Sequence, residues 1–202
     1  LQVGGEALSG GALSNVPAVT EIYNYYGPTE TAIWATRRHL PRVQESPRES
    51  SIGRPLQSIL CHIAAHDVAH SEPLGVWGEL WLGGVQVARG YLRRPELTAE
   101  RFVAHPWLTS SCCGRGVAYR TGDRVRWYAD GELEFGGRID LQVKLRGQRL
   151  ELGEVEHALR AQPGVLEAVV LALGERTNRH LVAWVQPHAS GNGMPVPPDE
   201  LR

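Results

Sequence analysis

Residues Arg124 to Phe135 read RVRWYADGELEF. Val125 and Trp127 alternate with polar residues before Asp130-Gly131, and Leu133 and Phe135 alternate after it. Alternation places the apolar residues on one face of a strand. An Asp-Gly pair between two such runs predicts a β-hairpin whose two central turn positions both take positive φ. Upstream, Glu79-Leu80-Trp81-Leu82 running into Gly83-Gly84 predicts a further strand, and Ile52 to Phe135 as a whole reads as short strands with frequent turns. One helix interrupts them at Pro95 to Phe102 (PELTAERF), with Pro near its start and acid in its first turn. Pro41 to Ser51 (PRVQESPRESS) reads as a surface loop.

Downstream the pattern changes. Gln142 to Leu152 predicts a second hairpin with Gly147 at its bend. Gly153 to Ala161 predicts a helix with Val155, Ala158 and Leu159 on one face, stopped by Pro163-Gly164. Val165 to Leu173 and Leu181 to Val185 predict two strands joined by the polar loop 174–178, which makes a small α+β unit. Gly191 to Pro198 is linker-like, and a boundary falls near Gly137 to Leu141.

The chain has 202 residues, with 21 Lys and Arg against 22 Asp and Glu, a net charge of −1. That balance leaves no basic excess for a phosphate backbone and argues against nucleic-acid binding. No run of about 18 apolar residues exists to cross a membrane as a helix. Three cysteines, Cys61, Cys112 and Cys113, are odd in number and irregularly spaced, which argues for reduced thiols in a cytoplasmic protein. No signal peptide is evident, and both ends fall mid-pattern, as in a piece of a longer chain.

Four segments can carry chemistry. In Asn24-Tyr25-Tyr26-Gly27-Pro28-Thr29-Glu30, Thr29 and Glu30 can hold a phosphate oxygen and its Mg²⁺, because magnesium takes oxygen ligands and few protein carboxylates. Tyr26 can stack on a base. The same residues also read as a Tyr-rich turn before a helix capped by Thr29. In Tyr119-Arg120-Thr121-Gly122-Asp123, Asp123 can accept hydrogen bonds from two neighbouring hydroxyls, as on a ribose. It equally reads as an Asx turn at a strand end. Gly137 to Gly147 carries Arg138, Asp140, Lys144 and Arg146, and also reads as a solvated hairpin. Gly4-Gly5-Glu6 lets backbone approach a flat ligand, and is also an ordinary turn.

In order and spacing these segments resemble the core motifs of nonribosomal peptide synthetase adenylation domains, within the superfamily of acyl- and aminoacyl-adenylate-forming enzymes. Asn24 to Glu30 matches Asn-x-Tyr-Gly-Pro-Thr-Glu. Gly78 to Phe102 (GELWLGGVQVARGYLRRPELTAERF) matches a second long motif, Tyr119 to Asp123 matches Tyr-Arg-Thr-Gly-Asp, and Gly137 to Glu156 (GRIDLQVKLRGQRLELGEVE) matches the linking motif. The run Val143 to Gly147 followed by Arg149 to Glu154 is similar to the peptide synthetase branch. The nearest enzyme alternative is an acyl- or aryl-acid CoA ligase of the same superfamily. A carrier-binding remnant without catalysis is the non-enzyme alternative.

The resemblance implies a mixed α/β and α+β fold. Residues 1–138 would be the end of the large subdomain, including a β-barrel-like part. Residues 139–202 would be most of a small mobile subdomain. It implies activation of an amino acid by ATP to an aminoacyl-AMP, then transfer to the phosphopantetheine thiol of a peptidyl carrier domain, with condensation domains as further partners. Tyr26 would stack on adenine, with Gly4, Gly5, Glu6 and Asn24 around it. Thr29 would contact phosphate and Glu30 Mg²⁺. Asp123 would take both ribose hydroxyls, with Arg138 close by. Asp140 would be the hinge, Lys144 would lie on the loop brought to the site for thioester formation, and Gly147 would line the pantetheine channel. Leu1, Val3, Tyr25, Ile33 and Trp34 would contribute to the amino-acid pocket. Their bulk at Trp34 and lack of charge imply a small side chain. Leu141 and His66 depart from the family pattern. The family's phosphate loop and its adenylation lysine would lie outside this stretch, so the chain alone is expected to be inactive.

Overall fold

The computed structural model describes residues 1–4, 17, 20–40, 50–65, 68–105, 116–140, 142–145, 148–174 and 178–188; for residues 68, 69 and 144 it describes the backbone alone. The chain divides into two compact units, Leu1–Asp140 and Leu141–Arg202. The architecture is mixed α/β and dominated by one large sheet.

In the first unit ten strands form that sheet. They are β1 (Gln2–Gly4), β2 (Ile22–Tyr26), β3 (Thr36–Leu40), β4 (Ser51–Pro55), β5 (Ile59–Ala65), β6 (Val68–Ser71), β7 (Gly78–Gly84), β8 (Phe102–Ala104), β9 (Val117–Trp127) and β10 (Leu133–Arg138). Their order is β1-β2-β3-β4-β10-β9-β7-β5-β6, with β8 also on β9. β1 and β2 are parallel; the other pairs are antiparallel.

The expected hairpin is β9–β10, in register Leu133↔Trp127 and Phe135↔Val125. Its turn differs from the expected one. Gly131 takes φ +81°, whereas Asp130 stays outside the positive region. Gly131 N–H donates to Tyr128 O (3.0 Å) and Tyr128 N–H to Glu132 O (2.8 Å), a three-residue loop with glycine in the left-handed position. The Asp130 carboxylate accepts from Glu132 N–H (3.2 Å), so Asp130 needs no left-handed backbone to serve the turn.

Strand β7 lies between β9 and β5, and all seven of its residues are buried. Leu80 and Leu82 join Ile59, Ile63, Val125 and Leu133 in the main core. Trp81 faces the other way, against Ala64 and Ala118. There His62 and His105 meet with ring centroids 4.8 Å apart, and the Trp81 ring lies 5.5 Å from His105. Burial holds the pKa of both imidazoles below the ordinary 6.5, and for His62 the neighbouring His105 adds to it.

Helix α1 (Pro95–Arg101) forms as expected and passes directly into β8 at Phe102. The loop expected over Pro41 to Ser51 ends sooner. Ser51 is buried at the start of β4, its hydroxyl donating to Glu132 at 2.7 Å. Residues 41–49 lie outside the described residues.

The second unit holds a hairpin of β11 (Gln142–Leu145) and β12 (Gln148–Glu151), then α2 (Leu152–Arg160), and a second hairpin of β13 (Val165–Leu173) and β14 (His180–Pro187). Helix α2 packs on β13, whose Val165, Ala168 and Val170 are buried. The helix begins one residue before the expected start, and its inward positions are Leu152, Val155, Glu156 and Leu159, while Ala158 is exposed. Glu156 takes the inward place because its carboxylate accepts Val170 N–H at 2.9 Å. Among the described residues no helix is long and apolar enough to cross a membrane.

Two outcomes follow from this packing. Leu80→Ala removes a side chain with no exposure from the core and is expected to cost about 2–5 kcal/mol in urea unfolding, whereas Gly131→Ala, with open space around it, costs about 1–2 kcal/mol of backbone strain alone. The His pair binds protons more weakly folded than unfolded. Its stabilising contribution is complete above pH 6.5 and is lost as pH falls below that value. The Tm is therefore expected to fall between pH 7.5 and 5.5, and less so in His105→Gln; an equal fall in both would exclude the pair as the source.

Candidate nucleotide-binding site

The site grows from an irregularity in β9. Against β7 the register runs Glu79↔Arg124 and then Trp81↔Arg120. A step of two residues along β7 thus spans four along β9, and the surplus is absorbed at Thr121-Gly122-Asp123. This is a β-bulge, a device that bends a strand and re-aims a side chain. The Tyr119–Asp123 motif therefore sits inside an eleven-residue strand and not at a strand end.

Four backbone groups at the bulge find partners outside the β7–β9 ladder. Gly122 N–H donates to Glu79 Oε1 (3.0 Å), and Asp123 N–H donates to Thr121 Oγ1 (2.9 Å). That hydroxyl donates in turn to Leu80 O (2.7 Å). Gly122 O accepts from Ile139 N–H (2.8 Å), and Thr121 O accepts from Arg138 Nη2 (3.0 Å). Gly122 sits at φ +72°, and a Cβ there would come within 2.6 Å of Asp140 Oδ2 and 2.7 Å of Arg138 Nη2. Only glycine meets both conditions.

The bulge presents Asp123, buried, to two donors. Tyr26 Oη donates to Oδ2, and Arg138 Nη1 donates to Oδ1 at 2.8 Å. Arg138 also grips Asp140 with two bonds of 2.6 Å, and Arg101 approaches Asp140 at 3.6 Å. Burial works against the Arg138 charge, but the hydrogen bonds to Asp140 and the field of Asp123 outweigh it and raise the pKa. Burial first, and then the Asp123 carboxylate, push the Tyr26 phenol well above 10, so it stays a neutral donor.

Tyr26 ends β2, and Gly27-Pro28 leads into a single 3-10 turn, Thr29–Thr31. Pro28 occupies the cap position, and no side chain caps the turn, so Thr29 is its first residue, exposed. Ala32 (φ +56°) and Ile33 (φ +75°) then run left-handed, which is strained for a β-branched side chain. The bonds Ile33 N–H to Pro28 O (3.3 Å) and Ala35 N–H to Tyr26 O (2.7 Å) hold them there and return the chain to the sheet. Glu30 is tied across the fold: its backbone O accepts Ala88 N–H (2.8 Å), and its Oε1 accepts the Tyr91 hydroxyl (2.6 Å). Tyr91 also reaches the Tyr119 hydroxyl on β9 (3.4 Å).

The remaining expected residues fall as follows. Asn24 pairs with Arg38 in the β2–β3 ladder. Gly4 pairs with Tyr25, and the Trp34 indole lies over Gly4 and 5.0 Å from the Tyr25 ring. Val3 is half-buried beside them, and Leu1 and Ile33 are exposed. Lys144 lies opposite Arg149 in the β11–β12 ladder, its side chain outside the described residues. Gly5, Glu6 and Gly147 also lie outside them. Three participants are not among the expected ones: Thr121, Tyr91 and Glu79. Glu79 is visible in the sequence as a lone acid in an apolar strand, Gly78 to Leu82.

The fold thus brings a buried carboxylate, a tyrosine and an arginine together on a bulged sheet, with Tyr26 leading into the Gly-Pro-Thr-Glu segment and the left-handed Ala32 and Ile33 that follow it. The sequence profile described as AMP-binding enzyme matches residues 1–92 of this chain. It is 46% identical over 186 residues to a linear gramicidin synthase of Brevibacillus parabrevis, covering 91% of this chain and 2% of that protein. Its fold is similar to that of IdnL1 (TM-score 0.82, 30% identity, 99% of this chain and 40% of the other). It is also similar to PA1221, an NRPS protein containing adenylation and PCP domains (TM-score 0.74, 28% identity, 95% and 39%). The chain thus spans a small share of the curated synthetase it matches.

Gly122→Ala is expected to break the Arg138–Asp140 grip and to cost at least about 1–2 kcal/mol from positive φ alone. Urea unfolding checks the cost. A variant as stable as the parent would contradict the bulge geometry.

Proposed function

We propose that this chain is part of an amino-acid adenylation domain, in which the Asp123 site takes the ribose of ATP and of the aminoacyl-AMP formed from it. The observation that carries this reading is Asp123 itself, a buried acceptor placed by a bulge beside the Tyr26 phenol and the Arg138 guanidinium. A carboxylate with two acceptor oxygens suits a vicinal diol. Tyr26, ending β2 next to Asp123, would offer its ring to the base, with Gly4 and Asn24 as backbone neighbours.

The donor set also fits a single magnesium ion. Glu30 is one carboxylate next to one hydroxyl, Thr29, and magnesium binds through few protein carboxylates and the substrate's phosphates. When bound, the ion would neutralise phosphate charge. The protein's own part is to hold Glu30 through the Tyr91 hydroxyl and the Ala88 N–H, so that no reorganisation is needed on binding.

The amino-acid pocket would use Val3, Tyr25, Ile33 and Trp34. The Trp34 ring, packed against Tyr25 and Gly4, takes space that a large side chain would need, which supports a small substrate. Asp140 would serve as the hinge, with Lys144 and Gly147 acting at thioester formation on a carrier-borne phosphopantetheine. The acceptor domain is supported by the adenylation and PCP domains of PA1221.

The test is amino-acid-dependent ATP–pyrophosphate exchange by the full-length protein over a panel of amino acids. Small, uncharged side chains are expected to be preferred, and Trp34→Ala to shift preference toward larger ones. Asp123→Ala is expected to raise the KM for ATP by about tenfold or more, the worth of a hydrogen bond to a charged group, with a smaller change in the KM for the amino acid. An unchanged KM for ATP would refute the ribose assignment, and turnover with coenzyme A as the acyl acceptor would favour the acyl-CoA ligase reading.

A further inference from the structure

We infer that Glu79 is a positioning residue for nucleotide recognition: its carboxylate fixes the Asp123 acceptor by taking the Gly122 N–H that the bulge removes from the β7–β9 ladder. This rests on the reading that Asp123 receives the ribose.

Glu79 is 2% exposed, in a strand whose seven residues are all buried. Burying a carboxylate costs several kcal/mol unless it is fully partnered. Its two oxygens are divided between two tasks. Oε2 accepts Arg120 Nη2 (2.9 Å), Arg120 Nε (3.2 Å) and Trp81 Nε1 (3.0 Å). Those partners follow from the pleat. Trp81 is two residues along the same face, and Arg120 lies opposite Trp81 in the register. An ion pair with Arg120 would need Oε2 alone.

Oε1 does something else: it accepts Gly122 N–H at 3.0 Å. Gly122 is at φ +72°, so its N–H is turned away from any ladder partner, and the Glu79 side chain supplies the acceptor a neighbouring strand would otherwise provide. The next residue is Asp123. The direction in which the Asp123 carboxylate leaves the sheet is therefore set by a peptide pinned from β7 by Glu79 and Leu80, the latter through Thr121.

Thr121 alone does not suffice for this. It fixes Asp123 N–H, whereas the Thr121–Gly122 peptide is held at its two ends by others, its carbonyl by Arg138 (3.0 Å) and its N–H, on the β7 side, by Glu79. A hydrophobic residue at position 79 would fill the space and leave a buried N–H unpaired. A glutamine would place its amide nitrogen against either Gly122 N–H or the Arg120 and Trp81 donors.

The experiment compares kcat/KM for ATP and for 3′-deoxy-ATP in pyrophosphate exchange by the full-length protein, in the parent, Asp123→Ala and Glu79→Gln. The parent is expected to favour ATP by about tenfold or more. Asp123→Ala is expected to abolish that preference. Glu79→Gln is expected to reduce it to about threefold or less while remaining folded by circular dichroism. If Glu79→Gln does not fold, Glu79→Asp is read the same way; it keeps the charge for Arg120 and withdraws the carboxylate from Gly122. A merely structural role for Glu79 would lower the rate with both nucleotides and leave their ratio intact, which would overturn the inference while leaving the ribose reading standing. No preference in the parent, or a preference that survives Asp123→Ala, would overturn both.

Discussion

A strand that carries two residues more than its neighbour can pair must put them somewhere, and β9 puts them at Thr121-Gly122-Asp123. The rest of the first unit is arranged around that surplus. The bulge demands a left-handed residue, which glycine supplies. It also demands acceptors and donors for four displaced backbone groups, which Glu79, Thr121, Arg138 and Ile139 supply. In return the Asp123 side chain leaves the ladder's alternation and reaches both Tyr26 and Arg138. A regular β9 would keep its hydrogen bonds and lose the site.

The charges gathered there are expensive to bury, and the structure offsets that cost by chaining them. Asp123, Arg138, Asp140 and Arg101 alternate in sign, and Glu79 has Arg120. Such networks add little net stability over well-packed apolar residues. What they provide is a fixed geometry, since Arg138 spans Asp123, Asp140 and the Thr121 carbonyl and ties two points of the bulge to Asp140. The core that carries this load is Leu80, Leu82, Val125 and Leu133, on the neighbouring strands and on β9 itself.

The β9–β10 hairpin, α1, α2 and the β13–β14 pair are legible in the sequence because their signals are local: alternation, a proline near a helix start, a glycine after a helix end. The turn at Asp130-Gly131 is legible in position but not in backbone, because the Asp130 side chain satisfies it from an ordinary conformation. Periodicity alone puts Ala158 on the buried face of α2, and Glu156 takes that place through one hydrogen bond that no pattern announces. The bulge is illegible for a deeper reason. Whether Thr121-Gly122-Asp123 is a turn or an insertion depends on how many residues β7 offers opposite, and that is a property of two strands about forty residues apart. Asp123, Tyr26 and Arg138 are individually visible; that they touch is not.

Asp140 joins two demands that at first conflict. Its carboxylate is clamped by both arms of Arg138, while the proposed hinge needs its backbone to turn. The two are compatible if the turn is made about the Cα–C bond. Rotation there leaves N, Cα and Cβ in place and so leaves the carboxylate on Arg138, while everything from residue 141 onward moves. The division of the chain falls directly after Asp140, which suits that pivot. Turning about the N–Cα bond instead would swing Cβ and break the clamp. A proline at position 140 would therefore be a poor probe of hinge motion, since it removes the carboxylate along with the φ freedom. The clamp would not oppose the proposed hinge; it would select which of the two backbone bonds serves as one.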